Sequence, residues 1–337
     1  MVVLKADAYG IGVAVIAQNL VKQGVTRIGV AEVKEALEIR ESVDVMVQVL
    51  GCLFPWEVPQ AVANDVICPV DSFKSAELIS KESKKQGKVT RVHFLVDTGM
   101  GRLGVPIGQA KSIIRKCMML SHLNFEGIYS HFANANDPED GKTILQMRLF
   151  QALLEQIDVP FSLIHIANSD GINNFSDTYF NLVRTGINLY GVFDLLGNKA
   201  YTLHPTLALK TRLISIRSLP NGSTIGYGGR VVLEKETLIG TLPIGYADGI
   251  PFYLKEKAYV ILRNKKVRLI GNVSMDYVTV DLSDCSEAKL GDEVIVFGKS
   301  KEQEITVEDW ARLKQSHPYD IICSLGHRVE RVYLNGE

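Results

Sequence analysis

The sequence predicts an α/β chain in two parts: a (β/α)8 barrel of the TIM type over residues 1–202 and a smaller all-β domain over residues 203–337. Three observations predict it. Short β-branched or apolar runs alternate with longer amphipathic stretches through the first part, which reads as repeated βα units. No Gly-x-Gly-x-x-Gly opens the chain, which disfavours a doubly wound dinucleotide-binding sheet and leaves the barrel. Near residue 200 the texture changes to short strands separated by turn chemistry such as Pro220-Asn221-Gly222, Arg263-Asn264-Lys265 and Leu290-Gly291-Asp292.

In order, the barrel strands are expected at residues 2–4, 27–30, 45–50, 65–69, 91–97, 125–130, 162–166 and 179–182. Helical periodicity falls between them, over 13–23, 34–42, 109–120 and 143–157. The charged stretch 81–88 reads as the solvated face of a further helix. In the second part, strands are expected at 207–219, 230–232, 238–242, 258–262, 266–270, 277–282 and 293–297.

Composition excludes several classes of function. The 37 Lys and Arg balance 38 Asp and Glu for a net charge of -1, without the basic excess of a nucleic-acid binder. Five scattered cysteines, with no Cys-x-x-Cys, suggest neither a disulfide framework nor a metal site and suit a reducing cytoplasm. No apolar run approaches the roughly 18 residues that cross a bilayer, so no membrane role is expected. The chain begins directly on an apolar strand, as if a leader were missing.

Several residues stand where chemistry is done. Lys5 closes an apolar strand; at the mouth of a barrel, desolvation would lower its pKa and favour an imine, whereas a snorkelling strand-end lysine is the plainer reading. Arg102 is delivered by a glycine-punctuated loop, Asp-Thr-Gly-Met-Gly-Arg-Leu-Gly, either as an anion-binding fork or as an ordinary surface cation. His131, Asn168, Ser169, Arg184 and Gly186 all follow expected strands late in the barrel, where phosphate commonly binds, although each alone is more often structural. Tyr246 lies in a Gly-Tyr-Ala-Asp-Gly turn of the β-rich part, where core packing is the usual role; as a base it would need its pKa of about 10 lowered.

Taken in order, the segments Val-Leu-Lys-Ala-Asp-Ala-Tyr-Gly, Asp-Thr-Gly-Met-Gly-Arg-Leu-Gly, Ser-His-Phe-Ala, Ala-Asn-Ser, Val-Arg-Thr-Gly-Ile, Ile-Gly-Tyr-Ala-Asp-Gly, Val-Ser-Met-Asp and Arg-Val-Glu-Arg resemble those of the alanine racemases. The resemblance spans almost the entire chain. It implies a pyridoxal 5'-phosphate enzyme of fold type III that interconverts L- and D-alanine and supplies D-alanine for peptidoglycan. It implies a homodimer in which the β domain of each chain contributes to its partner's active site. By the same resemblance Lys5 holds the cofactor, Tyr9, Asn168, Ser169, Gly186 and Ile187 lie near its phosphate, and Arg184 faces its pyridine nitrogen. Lys5 and Tyr246 are then the two catalytic bases on opposite faces, His131 links Tyr246 to Arg184, Arg102 and Met275 bind the substrate carboxylate, and Asp276 lines the entry.

Three departures qualify the resemblance. Ile11 replaces a histidine that usually follows Ala-Tyr-Gly, and Leu95 stands where many members carry a carbamylated lysine that steadies the residue matching Arg102. His327 stands where some members line the substrate pocket with tyrosine, so serine or a broader set of amino acids is an alternative substrate. A decarboxylase of the same fold type is disfavoured by Arg184, and a non-catalytic pyridoxal-phosphate carrier by the presence of the second domain.

Overall fold

The computed structural model describes residues 1–199, 201–254 and 257–334, so the last three residues of the expected β domain lie outside the described residues. By their contacts the residues form two units, Met1–Leu189 with Leu196–Thr202, and Tyr190–Leu195 with Leu203–Glu337.

The strands of the first unit are β1 (Val2–Val3), β2 (Arg27–Val30), β3 (Met46–Val49), β4 (Cys68–Val70), β5 (Thr90–Asp97), β6 (Val105–Pro106), β7 (Leu123–Tyr129) and β8 (Leu163–His165). Between them run α1 (Lys5–Gly10), α2 (Val13–Lys22), α3 (Val33–Ser42), α4 (Val58–Ala63), α5 (Phe73–Lys85), α6 (Ile107–Cys117) and α7 (Lys142–Gln156), and α8 (Ser169–Asn174) follows β8. Two parallel sheets, β1-β2-β3 and β4-β5-β7-β8, carry the backbone of a barrel. A bridge between Gln48 and Ile67 joins them, with Ile67 N donating to Val47 O at 2.9 Å.

The ring closes through residues 183–185. Arg184 N donates to Ala167 O at 3.0 Å just beyond β8, and Val3 N of β1 donates to Thr185 O at 2.8 Å. The eighth barrel position is therefore not the expected 179–182. There the Asn181 side chain does what a strand would do: its Oδ1 accepts from Ile164 N at 2.7 Å and its Nδ2 donates to Ser162 O at 2.8 Å. The Tyr179 hydroxyl also ties that segment to Ile172 O at 2.6 Å.

Burial explains the alternation. Strands β2 and β4 are buried on both faces, as parallel strands covered by helices must be. Each helix turns one stripe inward: Ala17 of α2, Ala36 and Ile39 of α3, Ala76 and Ile79 of α5, and Ile114 of α6 all enter the core. Burying a large side chain such as Phe94, Ile128 or Phe150 contributes roughly 1.5–3 kcal/mol. Along 81–88 the charges form surface pairs, Lys81 with Glu77, Lys85 with Glu82 and Lys88 with Asp65.

The second unit is a curled antiparallel sheet of β10 (Ser215–Leu219), β13 (Thr237–Leu242), β16 (Val278–Asp281), β15 (Lys265–Ile270), β14 (Tyr259–Leu262), β17 (Glu293–Lys299) and β18 (Glu304–Ile305), in that spatial order, with β9 (Leu209–Arg212) also paired to β17. A small hairpin of β11 (Thr224–Ile225) and β12 (Val231–Val232) accompanies it. The single strand expected over 207–219 is divided, because the chain leaves β17 for β13: Leu213 N bonds to Asp292 O and Ile214 N to Thr241 O, each at 3.0 Å. Two helices follow the strands. Helix α9 (Val307–Lys314) opens with a Thr306/Asp309 capping box, and α10 (Pro318–Cys323) opens on proline. Among the described residues no helix is long and apolar enough to cross a membrane.

Candidate active site

Barrel chemistry belongs at the C-terminal ends of the strands, and Lys5 leaves β1 at that end. Leu4 is fully buried, whereas Lys5 is exposed. Beyond it Ala6, Asp7, Ala8 and Tyr9 have φ of 54, 54, 52 and 62°, so α1 is a left-handed turn made by non-glycine residues. Such a conformation costs about 1–2 kcal/mol per residue and persists only if its surroundings hold it. Here Glu35 Oε1 accepts from Ala6 N at 2.6 Å, and Asp7 Oδ1 accepts from Val13 N at 2.7 Å.

The turn buries Tyr9 against Gly186. A side chain on Gly186 would collide with the Tyr9 phenol, so only glycine admits this approach. Gly186 N donates to Ser169 Oγ at 3.0 Å. Two hydroxyls and a main-chain amide thus meet from three segments, beside Ile187, which opens a 3₁₀ turn (Ile187–Tyr190) whose first N–H groups have no partner within it. That donor set suits a phosphate. Asn168 serves as the N-cap of α8, its Oδ1 accepting from Gly171 N at 2.9 Å.

Arg184 is buried and, among the described residues, meets no carboxylate. Its Nη1 donates to His165 Nδ1 at 2.8 Å; its Nη2 donates to Ser130 O at 2.8 Å, to Ile166 O at 2.9 Å and towards His131 Nδ1 at 3.2 Å. Burial lowers its pKa to about 10, which still leaves it charged at neutrality. Among the described residues its Nε–H makes no hydrogen bond, an open donor of the kind a pyridine nitrogen accepts. His131 is pushed down to about 3, first by burial and then by the nearby charges of Arg184, Arg102 and Lys5. His131 is therefore in contact with Arg184 and within the electrostatic reach of Arg102 and Lys5.

The Arg102 loop is shaped by Asp97, whose Oδ1 accepts from Gly99 N at 2.9 Å and from Gly101 N at 3.1 Å. Arg102 itself is exposed and makes no hydrogen bond among the described residues. Leu95, buried against this loop at Gly104, has no polar side-chain atom with which to steady Arg102. Gln146 braces the floor: its Nε2 donates to His131 O at 2.9 Å and its Oε1 accepts from Ala133 N at 2.9 Å.

In the second unit Tyr246 opens a 3₁₀ turn (Tyr246–Asp248) and is half-exposed, packed edge-on to Phe252 at 6.4 Å between ring centroids. Its loop is stitched to the Met275 loop, with Tyr246 N donating to Ser274 O at 3.0 Å and Ala247 N to Met275 O at 3.1 Å. Arg328 clamps the pair. It binds both Asp248 oxygens at 3.0 Å and Asp276 Oδ1 at 2.7 Å. Asp276, expected beside the entry, is thus held in an ion pair, while His327, next to Arg328, is exposed.

Sequence reasoning missed Arg328, Gln146 and two buried histidines, His93 and His165. The histidines had a signal: each interrupts an otherwise apolar strand, Val92-His93-Phe94 and Ile164-His165-Ile166. An open groove at the other end of the barrel, lined by Arg40, Asp44, Asp65 and Arg91, lies at the N-terminal ends of the strands and shares none of these residues.

A parallel barrel with a lysine after its first strand, an anion cradle at Tyr9, Ser169 and Gly186, and a buried arginine with an open N–H has the make-up of a pyridoxal-phosphate barrel enzyme. The family models of the alanine racemase N-terminal and C-terminal domains match residues 1–194 and 206–333. The chain belongs to the alanine racemase family, whose members depend on pyridoxal phosphate. It is 38% identical to an alanine racemase of Thermodesulfovibrio yellowstonii over 99% of this chain and 90% of that protein. With one of Halothermothrix orenii it shares 36% identity over 99% of this chain and 90% of the other. Among solved structures, an alanine racemase of Clostridium difficile superposes with a TM-score of 0.92 at 29% identity, over 99% of this chain and 88% of that one. The Bartonella henselae enzyme, with covalently bound pyridoxal phosphate, gives 0.90 at 30% identity over 99% and 92%.

Proposed function

We propose that the chain racemises alanine with pyridoxal phosphate, using Lys5 and Tyr246 of the partner subunit as the two bases. The observation that carries the reading is the buried Arg184, bonded to His131 and, among the described residues, with its Nε–H open, in a barrel that also carries the Tyr9, Ser169 and Gly186 cradle. Bound there, pyridoxal phosphate would draw electrons from the substrate α-carbon and acidify its proton. Lys5 would hold the cofactor and exchange the proton on the D face, and Tyr246 would exchange it on the L face. Arg184 offers the pyridine nitrogen an N–H and no transferable proton, which favours proton exchange over decarboxylation.

His131 supports Tyr246 in this scheme. Because Arg184 can only donate, the His131 Nδ1 facing it must accept, so the ring proton sits on Nε2. That N–H would stabilise a phenolate. Arg102 and the main chain of Met275 would bind the substrate carboxylate, and Asp276, tied to Arg328, would border the entry. We place the enzyme in the cytoplasm as a homodimer with shared sites, making D-alanine for peptidoglycan.

The test is an assay of the purified protein with L-alanine and L-serine, with Lys5→Ala, Tyr246→Phe, and the two variants co-expressed. Wild type is expected to turn over alanine and each variant alone to fail. The co-expressed preparation should regain on the order of a quarter of the wild-type activity, because about half of its dimers are mixed and one of the two sites in each of those is intact. Turnover by Lys5→Ala would overturn the reading, and absence of any rescue would overturn the shared site.

A further inference from the structure

We propose that Glu126 is a positioning residue for Arg184, acting through His93 and His165 to set where each ring proton sits. This deepens the reading above and rests on it for the role of Arg184. The proton positions themselves do not.

The groups form a line through the barrel. Arg184 Nη1 lies 2.8 Å from His165 Nδ1, His165 Nε2 lies 3.0 Å from His93 Nδ1, and His93 Nε2 lies 2.9 Å from Glu126 Oε2. Glu126 in turn accepts from both terminal nitrogens of Arg27, at 3.0 and 3.1 Å. A guanidinium has no acceptor, so His165 Nδ1 must present a lone pair and carry its proton on Nε2. That N–H requires an acceptor at His93 Nδ1, which puts the second proton on His93 Nε2. There it meets a carboxylate, which only accepts. Reversing the direction would aim an N–H of His165 at Arg184, so a single arrangement satisfies every atom.

The local backbone is built around this line. Opposite β5, the register of β7 shifts so that Val92 faces Phe125 and His93 faces Gly127, leaving Glu126 as the extra residue of a bulge. A bulge re-aims the side chain it carries. A side chain on Gly127 would collide with the His93 imidazole, so glycine is what admits the ring. Tyr129 stacks flat on His165, centroids 4.9 Å apart, and fixes its plane. Titration agrees with the geometry: burial holds both imidazoles neutral, whereas the hydrogen bond from His93 keeps Glu126 ionised.

The consequence concerns the charge of Arg184. Among the described residues it is buried without a carboxylate of its own, and the anion to which hydrogen bonds connect it is Glu126, two imidazoles away. Glutamine at 126 keeps the shape but can face His93 with its amide N–H. Both rings could then reverse, and His165 would turn a proton towards Arg184.

The test is nitrogen-15 NMR of histidine-labelled protein at neutral pH, with and without pyridoxal phosphate, on wild type and Glu126→Gln. His93 and His165 are expected as neutral Nε2–H tautomers in the wild type and as mixed tautomers in the variant. The variant's kcat for alanine is expected to fall roughly tenfold with KM little changed, and the absorption maximum of the bound cofactor to shift, the scale usual for groups that orient an imidazole. A wild-type spectrum showing either ring as Nδ1–H or imidazolium overturns the proposal, and so do tautomers unaltered by Glu126→Gln. Failure of the wild type to racemise any amino acid would instead overturn the functional reading and leave the proton assignment to the spectra.

Discussion

The barrel interior and the Tyr246 region of the second unit handle polar groups in opposite ways. Inside the barrel, Arg184, His165 and His93 are buried, every ring nitrogen of the two histidines and both terminal nitrogens of Arg184 meet a partner of the same chain, and the direction of the bonds between them is fixed. In the second unit Tyr246, Phe252, Met275 and Tyr277 are 45–52% exposed, and the charges beside them are closed by a half-exposed clamp, Arg328. One region is finished within a single chain. The other presents aromatic and thioether groups outward, in a cluster that isolated surface residues do not make. Under the proposed function, that contrast divides the labour: the barrel holds and tunes a cofactor, and the second unit supplies reactive groups to a neighbour.

The largest effects test this division directly. Lys5→Ala and Tyr246→Phe should each lower kcat by about 10²–10⁴, the usual contribution of a positioned proton-transfer group. Both should fold as wild type, since each residue is exposed. The distinction lies in the cofactor: Lys5→Ala should lose the absorbance of covalently held pyridoxal phosphate, and Tyr246→Phe should keep it. A Tyr246→Phe protein without bound cofactor would erase the difference between the two regions.

A smaller effect is expected at the clamp. Arg328→Leu leaves Asp248 and Asp276 without their cation and leaves the Tyr246 and Met275 loops joined by their main-chain hydrogen bonds without the side-chain clamp. Misplacement of about 1 Å in such groups can lower activity up to 100-fold, so a fall of roughly 10- to 100-fold is expected with little change in Tm. Steady-state kinetics beside a thermal scan checks it. Equal losses of Tm and activity would mean that Arg328 holds the sheet instead of the loops.

How much of this was legible in the sequence follows from the same contrast. Lys5, Arg102 and Tyr246 sit in glycine-marked turns, and a reader of motifs finds them. The proton line is not written that way. His93 and Glu126 are 33 residues apart and meet only because a bulge in β7 turns Glu126 to the ring, a register event that strand periodicity does not reveal. The eighth barrel position was misplaced for a related reason: the apolar run at 179–182 satisfied strand propensity, but the Asn181 side chain takes the hydrogen bonds a strand would have made. Helix α9 could have been read from Thr306 and Asp309, whose spacing is that of a capping box.

Acidity probes the barrel region through His131 and Glu126. The folded pKa of His131, about 3, lies below its ordinary 6.5, so between these values the unfolded chain binds a proton that the folded one does not. Stability from this group is fully present above pH 6.5 and is lost as pH falls towards 3, with a slope of about 1.4 kcal/mol per pH unit. Glu126, lowered to about 2 from 4.5, adds a second loss between those values. His131→Gln should flatten the upper part of a stability-against-pH curve measured by urea unfolding, and Glu126→Gln the lower part. An unchanged upper slope in His131→Gln would show that the ring is not held neutral.

The smallest effect concerns the turn that aims Lys5. In a right-handed helix, alanine to glycine destabilises by about 1 kcal/mol, and Ala36→Gly in α3 should lose at least that, because its methyl group is also buried. At Ala6 the sign should differ. Its φ of 54° is costly for alanine by about 1–2 kcal/mol and free for glycine, against roughly 0.4–1 kcal/mol for the greater freedom of glycine in the unfolded chain. Ala6→Gly should therefore be neutral or stabilising by up to about 1 kcal/mol in urea unfolding. Glu35 Oε1 would still accept from the main-chain N–H of residue 6, so the turn need not relax and kcat should hold. A gain in stability with a loss of kcat would carry a different message, that the stiffness of alanine in this conformation, and not the hydrogen bond from Glu35, is what keeps Lys5 on target.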